Sequence, residues 1–323
     1  MPSRREFLAG GLALVATACS GGGSGGPGPT GPLTIARLTR GAPQLSLLGL
    51  GPGAIGGDPT EPVQTGKSIV TFDLATPASR IVEGGTPKLY IATSENGRAS
   101  GPFPGDWSPF TGYQKTGDRS PRSPIPGVYF GPVVFPRARV YTVAAADPGG
   151  PSKGVGITHV YVADKPPNAA GSKATPAKTP VATSPHGVRE ICTRVPPCPL
   201  HFISLAEALA NGKPTVAVFS TPLLCQSRLC GPVTDEVILV FQQMGKGKAN
   251  FVHVEEFLPG PDLKPDASKL SPGFRAWGLR TEPWVFVIDR EGTIRDRYQG
   301  PTTAPMIEAS LQPLRVEQPF PHT

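Results

Sequence analysis

Thr215 to Phe219 is a short apolar, β-branched run, and the chain then reads Ser-Thr-Pro-Leu-Leu-Cys225-Gln-Ser-Arg-Leu-Cys230-Gly-Pro232 before a longer apolar-periodic stretch. This pattern predicts a buried strand, a joint carrying two cysteines, and a helix that opens at Pro232, where a missing N–H costs nothing. The spacing constrains the joint. Side chains five residues apart do not face each other in a regular helix, and two Cα atoms must come within about 7 Å for a disulfide. Residues 226–229 are therefore expected to loop, with helix only from Pro232. The unpaired N–H groups and positive end of a helix favour a thiolate over a thiol at such a joint, and Arg228 between the cysteines adds to this.

The rest of the chain divides around this joint. With 323 residues the length fits two domains, and Gly 40 plus Pro 41 suits turns, linkers and β structure better than a helical bundle. Residues 33–163 are expected to be all-β. Short Val/Ile/Tyr/Phe/Thr runs at 33–39, 44–50, 67–74, 88–93, 127–135, 139–145 and 156–162 are separated by Gly/Pro/Asp turns. Seven such strands suggest an immunoglobulin-like sandwich. Residues 101–126, with Trp107, Phe110 and Tyr113 among prolines, are expected to be an ordered loop covering one end of it. His159, mid-strand, is expected to be packed rather than ligating. Residues 164–187 are Pro/Ala/Lys/Thr-rich with almost no large apolar side chain, and are read as an inter-domain linker.

Residues 188–316 alternate helix and strand. Ser204 and Glu207 form a capping box for a helix at 205–210. Strands follow at 215–219 and 250–257, a short helix at 272–277, a hairpin at 284–289 and 293–298, and a last helix from Thr302 or Thr303. Residues 317–323 are a tail.

The N-terminus reads as a targeting signal. Ser3-Arg4-Arg5-Glu6-Phe7-Leu8 resembles a twin-arginine export motif, and an apolar run of about eleven residues, too short for a stable span, follows it. Leu14-Val-Ala-Thr-Ala-Cys19 resembles a lipobox, so residues 1–18 are expected to be removed and Cys19 lipidated, with 19–32 a flexible Gly/Pro/Ser tether. Ordinary cleavage without a lipid is the alternative. Either way the protein is expected to be exported, and in the first case held to the membrane on its extracytoplasmic side. The net charge of +7 is scattered with no basic run among aromatics, which argues against a nucleic-acid partner. Apart from Cys19 the chain has Cys192, Cys198, Cys225 and Cys230. Proximity suggests the pairs 192–198 and 225–230, although three connectivities exist.

The order β, α, β, α, β, β, α, the strand–Cys–helix joint, Thr281-Glu282-Pro283-Trp284 before a buried strand, and the hairpin sequence Val285-Phe-Val-Ile-Asp289-Arg-Glu-Gly292 together resemble the thioredoxin-like superfamily. The hairpin looks like that of extracytoplasmic members, including thiol–disulfide reductases and peroxiredoxin relatives. The resemblance covers residues 203–314. It implies an α/β thioredoxin-like C-terminal domain with Cys225 as nucleophile, Cys230 as resolving thiol, and Pro283 as a cis-proline holding a partner's backbone. Thr281, Glu282, Trp284 and Arg228 would support them, and the partner would be a protein thiol or disulfide. No cofactor or metal is implied. This chain departs from the family in carrying Cys-x4-Cys rather than Cys-x2-Cys, and in lacking an acid within 215–219. Glu255 and Glu282 are substitutes for that acid.

Cys192 and Cys198, separated by two prolines and away from any helix start, are expected to form a structural disulfide. Alternatives remain for the whole: a redox-silent interaction lipoprotein with a structural 225–230 bond, Cu(I) delivery with His201 and His253 as loose ligand candidates beside His322, or peroxide reduction. The last is disfavoured by Pro222 and Val218, where peroxiredoxins have Thr/Ser and Pro.

Overall fold

In the computed structural model the described residues are 31–49, 61–112, 125–147, 149–150, 153–225, 227–245, 247–257 and 269–315. The export motif, Cys19, Tyr113 and the tail with His322 lie outside them. Among the described residues the chain is mostly β, with two sheets and few helices, and Leu33–Thr323 forms one compact unit.

The first sheet is built from β1 (Gln44–Gly49), β2 (Val63–Gln64), β3 (Gly66–Ala75), β4 (Lys88–Ala92), β5 (Ser100–Pro104), β6 (Asp106–Pro109), β7 (Gly127–Phe135), β8 (Arg139–Ala146) and β9 (Val155–Ala163). In hydrogen bonding the expected sandwich is one continuous sheet of order β5-β4-β8-β9-β1-β3-β7-β6, with β2 beside β9. Its two edge strands are consecutive in the chain. β5 pairs with β4 and β6 with β7, on either side of Gly105, so one stretch caps both edges. The close approach demands glycine, since a Cβ at Gly131 in β7 would collide with the Pro104 carbonyl. Leu74, Leu89, Tyr129, Val133 and Phe135 fill the interior of this curled sheet.

Two local expectations change here. The run 33–39 is not a strand: Ile35–Thr39 forms helix α1, because the Thr34 hydroxyl accepts the Arg37 N–H (3.2 Å) and caps a turn. The expected loop 101–126 begins as β5 and β6. Trp107 lies in β6, edge-on to Tyr129 with ring centroids 4.9 Å apart.

The second sheet has the order β11-β10-β12-β13, from β10 (Thr215–Phe219), β11 (Asn250–Val254), β12 (Trp284–Ile288) and β13 (Ile294–Gln299). β10 and β11 are parallel, and the other pairs are antiparallel. The helices are α2 (Leu205–Ala210), α3 (Cys230–Met244), α4 (Pro272–Trp277) and α5 (Ala304–Arg315). The central strands are apolar apart from Thr215 at the start of β10, because both faces are covered. Val216, Val218, Val285 and Val287 join α3 and α5 on one side. Ala217, Phe219, Phe286 and Ile288 join α2 and α4 on the other. The capping box of Ser204 and Glu207 forms as the sequence predicts.

The two sheets share a core. Phe110 and Val128, from the first, are buried among the α3 and α5 side chains. The expected linker does not hang between them. Its alanines at 169, 174 and 177 and Val181 are buried. The Trp277 indole donates to the Thr175 carbonyl (2.8 Å), and the Thr179 hydroxyl accepts the Leu205 N–H at the start of α2 (3.0 Å). Small side chains let this extended segment lie flat on α2, α4 and β13, so low bulk here serves close packing.

Candidate functional site

The joint after β10 is held before its cysteines are reached. The Thr221 carbonyl accepts the Leu224 and Cys225 N–H groups, both at 3.0 Å, and the Thr221 hydroxyl accepts the Glu256 N–H (2.8 Å). Cys225 and Cys230 are joined as a disulfide, with Cα atoms 6.0 Å apart. The loop is as expected, but the helix starts earlier, at Cys230 rather than Pro232. Cys230 therefore occupies the first helical position, under the unpaired N–H groups, and Leu229 provides no side-chain cap. Both cysteines are buried, Cys225 at 7 % exposure and Cys230 at none. The Ser227 hydroxyl lies 3.2 Å from that sulfur. Arg228 is exposed and has φ 58°, in the left-handed region.

The segment before β12 closes over this joint. The Glu282–Pro283 peptide is cis and Pro283 is buried. A Glu282 carboxylate oxygen and both sulfurs lie within 4.8 Å of one another. Glu282 Oε2 is buried without a hydrogen-bond partner. Burial first, then the charges of Glu256 and Glu255, push the Glu282 carboxyl well above the usual carboxylate range. Burial also pushes Glu256 up to about 7. Of the two acids considered from sequence, Glu282 is the one brought to the disulfide.

Thr281 and Trp284 have other duties. The Thr281 hydroxyl donates to Glu61 Oε2 (2.5 Å), and Glu61 Oε1 accepts the Arg280 N–H (3.0 Å). Glu61 lies just before β2, so a residue that sequence reasoning passed over ties this segment to the first sheet. Trp284 is buried, stacked on Phe286, with the Arg297 guanidinium 4.9 Å from its ring centroid. Its backbone already pairs with Phe219 and Gln299, which leaves Trp284 a core residue.

A second cluster lies behind the joint. Cys192 and Cys198, expected to be disulfide-bonded, are free thiols. They meet His201 and His253, and the four donor atoms lie within 4.8 Å of one another. The loop between the cysteines is clamped by Arg194, whose Nε donates to Asp235 of α3 (2.8 Å) and whose guanidinium reaches the Pro196 carbonyl (2.7 Å). That clamp turns the chain so that both sulfurs point inward to His253 on β11. Hydrogen bonding from Cys198, then from the two histidines, lowers the Cys192 thiol, while burial raises Cys198. Burial lowers His201. Glu255 is braced here, accepting the Thr193 N–H at 2.7 Å, and not at the disulfide. The signal in the sequence was Cys192-x5-Cys198-x2-His201. Its fourth member lies 52 residues beyond His201, on β11, where the His253 N–H donates to the Leu200 carbonyl (3.2 Å).

His159 is half-buried on β9. Compared with models of known protein families and with curated protein sequences, the chain matches none.

Proposed function

We propose that this chain is an extracytoplasmic thiol–disulfide oxidoreductase with a thioredoxin-like C-terminal fold, exported through its N-terminal signal and tethered by lipidated Cys19, with the β-rich first sheet packed against it. The observation that carries the activity is the Cys225–Cys230 disulfide at a strand–helix joint, with the Glu282 carboxyl within 4.8 Å of both sulfurs. The sheet order and the cis Glu282–Pro283 peptide support the family reading. No helix among the described residues is long and apolar enough to cross a membrane.

In the oxidised form a partner thiolate attacks the Cys225 sulfur. The Cys225–Cys230 bond breaks, a mixed disulfide forms on Cys225, and Cys230 leaves as a thiolate at the helix N-terminus, where the positive end of the helix stabilises it. A second partner thiol then attacks the partner sulfur of the mixed disulfide. The partner becomes a disulfide, Cys225 leaves as a thiolate, and two electrons have passed to the pair. Glu282, held neutral by burial, is placed to give its proton to a departing thiolate. In the reverse direction the Cys225 thiolate attacks a partner disulfide and Cys230 resolves the mixed disulfide.

The near-complete burial of both sulfurs favours a second reading, a permanent staple of the joint. One titration separates the two. The protein is equilibrated in glutathione buffers and its free thiols are trapped by alkylation and read by mass spectrometry. A reversible midpoint of roughly −270 to −120 mV is expected for the oxidoreductase. A 225–230 bond still oxidised below about −300 mV overturns it in favour of the staple.

A further inference from the structure

Three donors converge on one nitrogen of His253 from a separate stretch of chain. Its Nδ1 lies 3.1 Å from His201 Nε2, 3.3 Å from Cys198 Sγ and 3.9 Å from Cys192 Sγ. In a tetrahedral site with metal–sulfur bonds of about 2.3 Å and metal–nitrogen bonds of about 2.0 Å, the sulfur–nitrogen edges are roughly 3.5 Å and the nitrogen–nitrogen edge roughly 3.3 Å. Three of the six edges, those meeting at His253, are therefore already near those of a four-ligand cage, and all four donor atoms lie within 4.8 Å of one another.

The groups around it orient the donors in the same sense. On the far side of the His253 ring, Nε2 lies 2.9 Å from the Ser220 carbonyl and 2.9 Å from the Ser220 hydroxyl. An Nε2–H donated to that carbonyl leaves the Nδ1 lone pair facing the cage, the outer-shell arrangement that fixes a ligating imidazole. The Cys198 N–H points at the Cys192 sulfur (3.3 Å), as it does toward a metal-bound thiolate. None of the four residues exceeds 8 % exposure.

We propose that Cys192, Cys198, His201 and His253 bind one Zn²⁺ ion through two thiolates, His201 Nε2 and His253 Nδ1. The sulfur and imidazole donors exclude Mg²⁺ and Ca²⁺, which take oxygen ligands. Charge selects among the softer ions. Two thiolates and two neutral imidazoles around Zn²⁺ sum to zero, which a buried site tolerates. Around Cu(I) the same set leaves a net negative charge beside the Glu255 carboxyl. Both thiol protons pass to solvent on binding. With four protein ligands and no open position, the ion is structural. It pins the strand end at Ser220 and, through the Thr193 hydroxyl that accepts the Leu223 N–H (3.4 Å), the joint leading to Cys225. It also holds two thiols as metal thiolates, out of exchange with the nearby disulfide. The site does not depend on the redox reading.

The test is metal content of the full chain purified without chelator, by elemental and native mass spectrometry, beside two double variants. One zinc per chain is expected in the unaltered protein and in Cys225→Ser/Cys230→Ser, and background zinc in Cys192→Ser/Cys198→Ser. Because the latter variant can fail to fold, the unaltered protein is also alkylated before and after chelator. Cys192 and Cys198 should react only afterwards, and Co²⁺ exchanged into the site should show tetrahedral thiolate absorption. A zinc-free protein with a 192–198 disulfide overturns the proposal. So does zinc that disappears with Cys225 and Cys230, or copper in place of zinc in the protein as purified.

Discussion

At Glu282 a carboxyl has been moved out of water to within reach of two sulfurs, with one oxygen left unpartnered. Replacing it by glutamine keeps the shape and removes the proton. We expect Glu282→Gln to slow exchange between the 225–230 disulfide and a small dithiol by about 10²-fold, in the usual range for a lost acid–base group, with the far-UV circular dichroism unchanged. An unaltered rate would remove Glu282 from the reaction. A second buried carboxyl sits in the first sheet. Asp73 is fully buried, and no side chain among the described residues hydrogen-bonds to its oxygens. Burial pushes it from the usual 3.8 up to about 8, with the Tyr129 backbone offsetting only part of the shift. Below pH 3.8 the folded and unfolded chains both hold the proton. Above it the unfolded chain ionises first, so the stability this proton confers is lost progressively until about pH 8. Urea midpoints of Asp73→Asn measured across that window should fall less with rising pH than those of the parent. Parallel curves would show that Asp73 ionises normally.

At the scale of elements, α3 is held by more than its apolar face. Glu236, fully buried on it, accepts the Thr111 N–H (2.6 Å), the Gly112 N–H, and the Ala304 N–H that opens α5 (2.8 Å). One carboxylate thus caps a second helix and fastens the chain that follows β6. Glu236→Ala leaves two buried donors and one half-buried donor unsatisfied and should cost about 2 kcal/mol or more by urea unfolding, at 1–3 kcal/mol for each buried group. A change within about 0.5 kcal/mol, typical of a surface position, would mean that water replaces it. The elements of the second sheet were legible because their signals are local: Ser204 and Glu207 at a cap, Pro272 and Gly278 around a short helix, apolar runs for β10 and β12. Ile35–Thr39 was misread because its β-branched composition lost to the Thr34 cap. β5 and β6 were hidden by their prolines, which edge strands tolerate.

At the scale of the molecule, Leu33–Thr323 is one unit with a core that crosses both sheets. Such a chain should unfold in one transition, with tryptophan fluorescence and circular dichroism superimposable. Phe110→Ala, in the shared core, should lower that single midpoint at a cost of about 3–5 kcal/mol. Two separated transitions would mean that the sheets are independent. The sequence by itself determined what depends on neighbours along the chain: a β-rich region followed by one alternating helix and strand, the strand–cysteine–helix joint, the loop that lets Cys225 and Cys230 meet, and the Ser204–Glu207 capping box. Tertiary structure alone decided what depends on groups far apart in the chain. It packed the alanines of 164–187 as a strap, tied Glu61 to the segment before Pro283, and chose Glu282 over Glu255 for the disulfide. It also set His253 among Cys192, Cys198 and His201. The reason is that hydrophobic periodicity and capping act over a few residues. A buried polar group must instead find its partner wherever strand pairing delivers one.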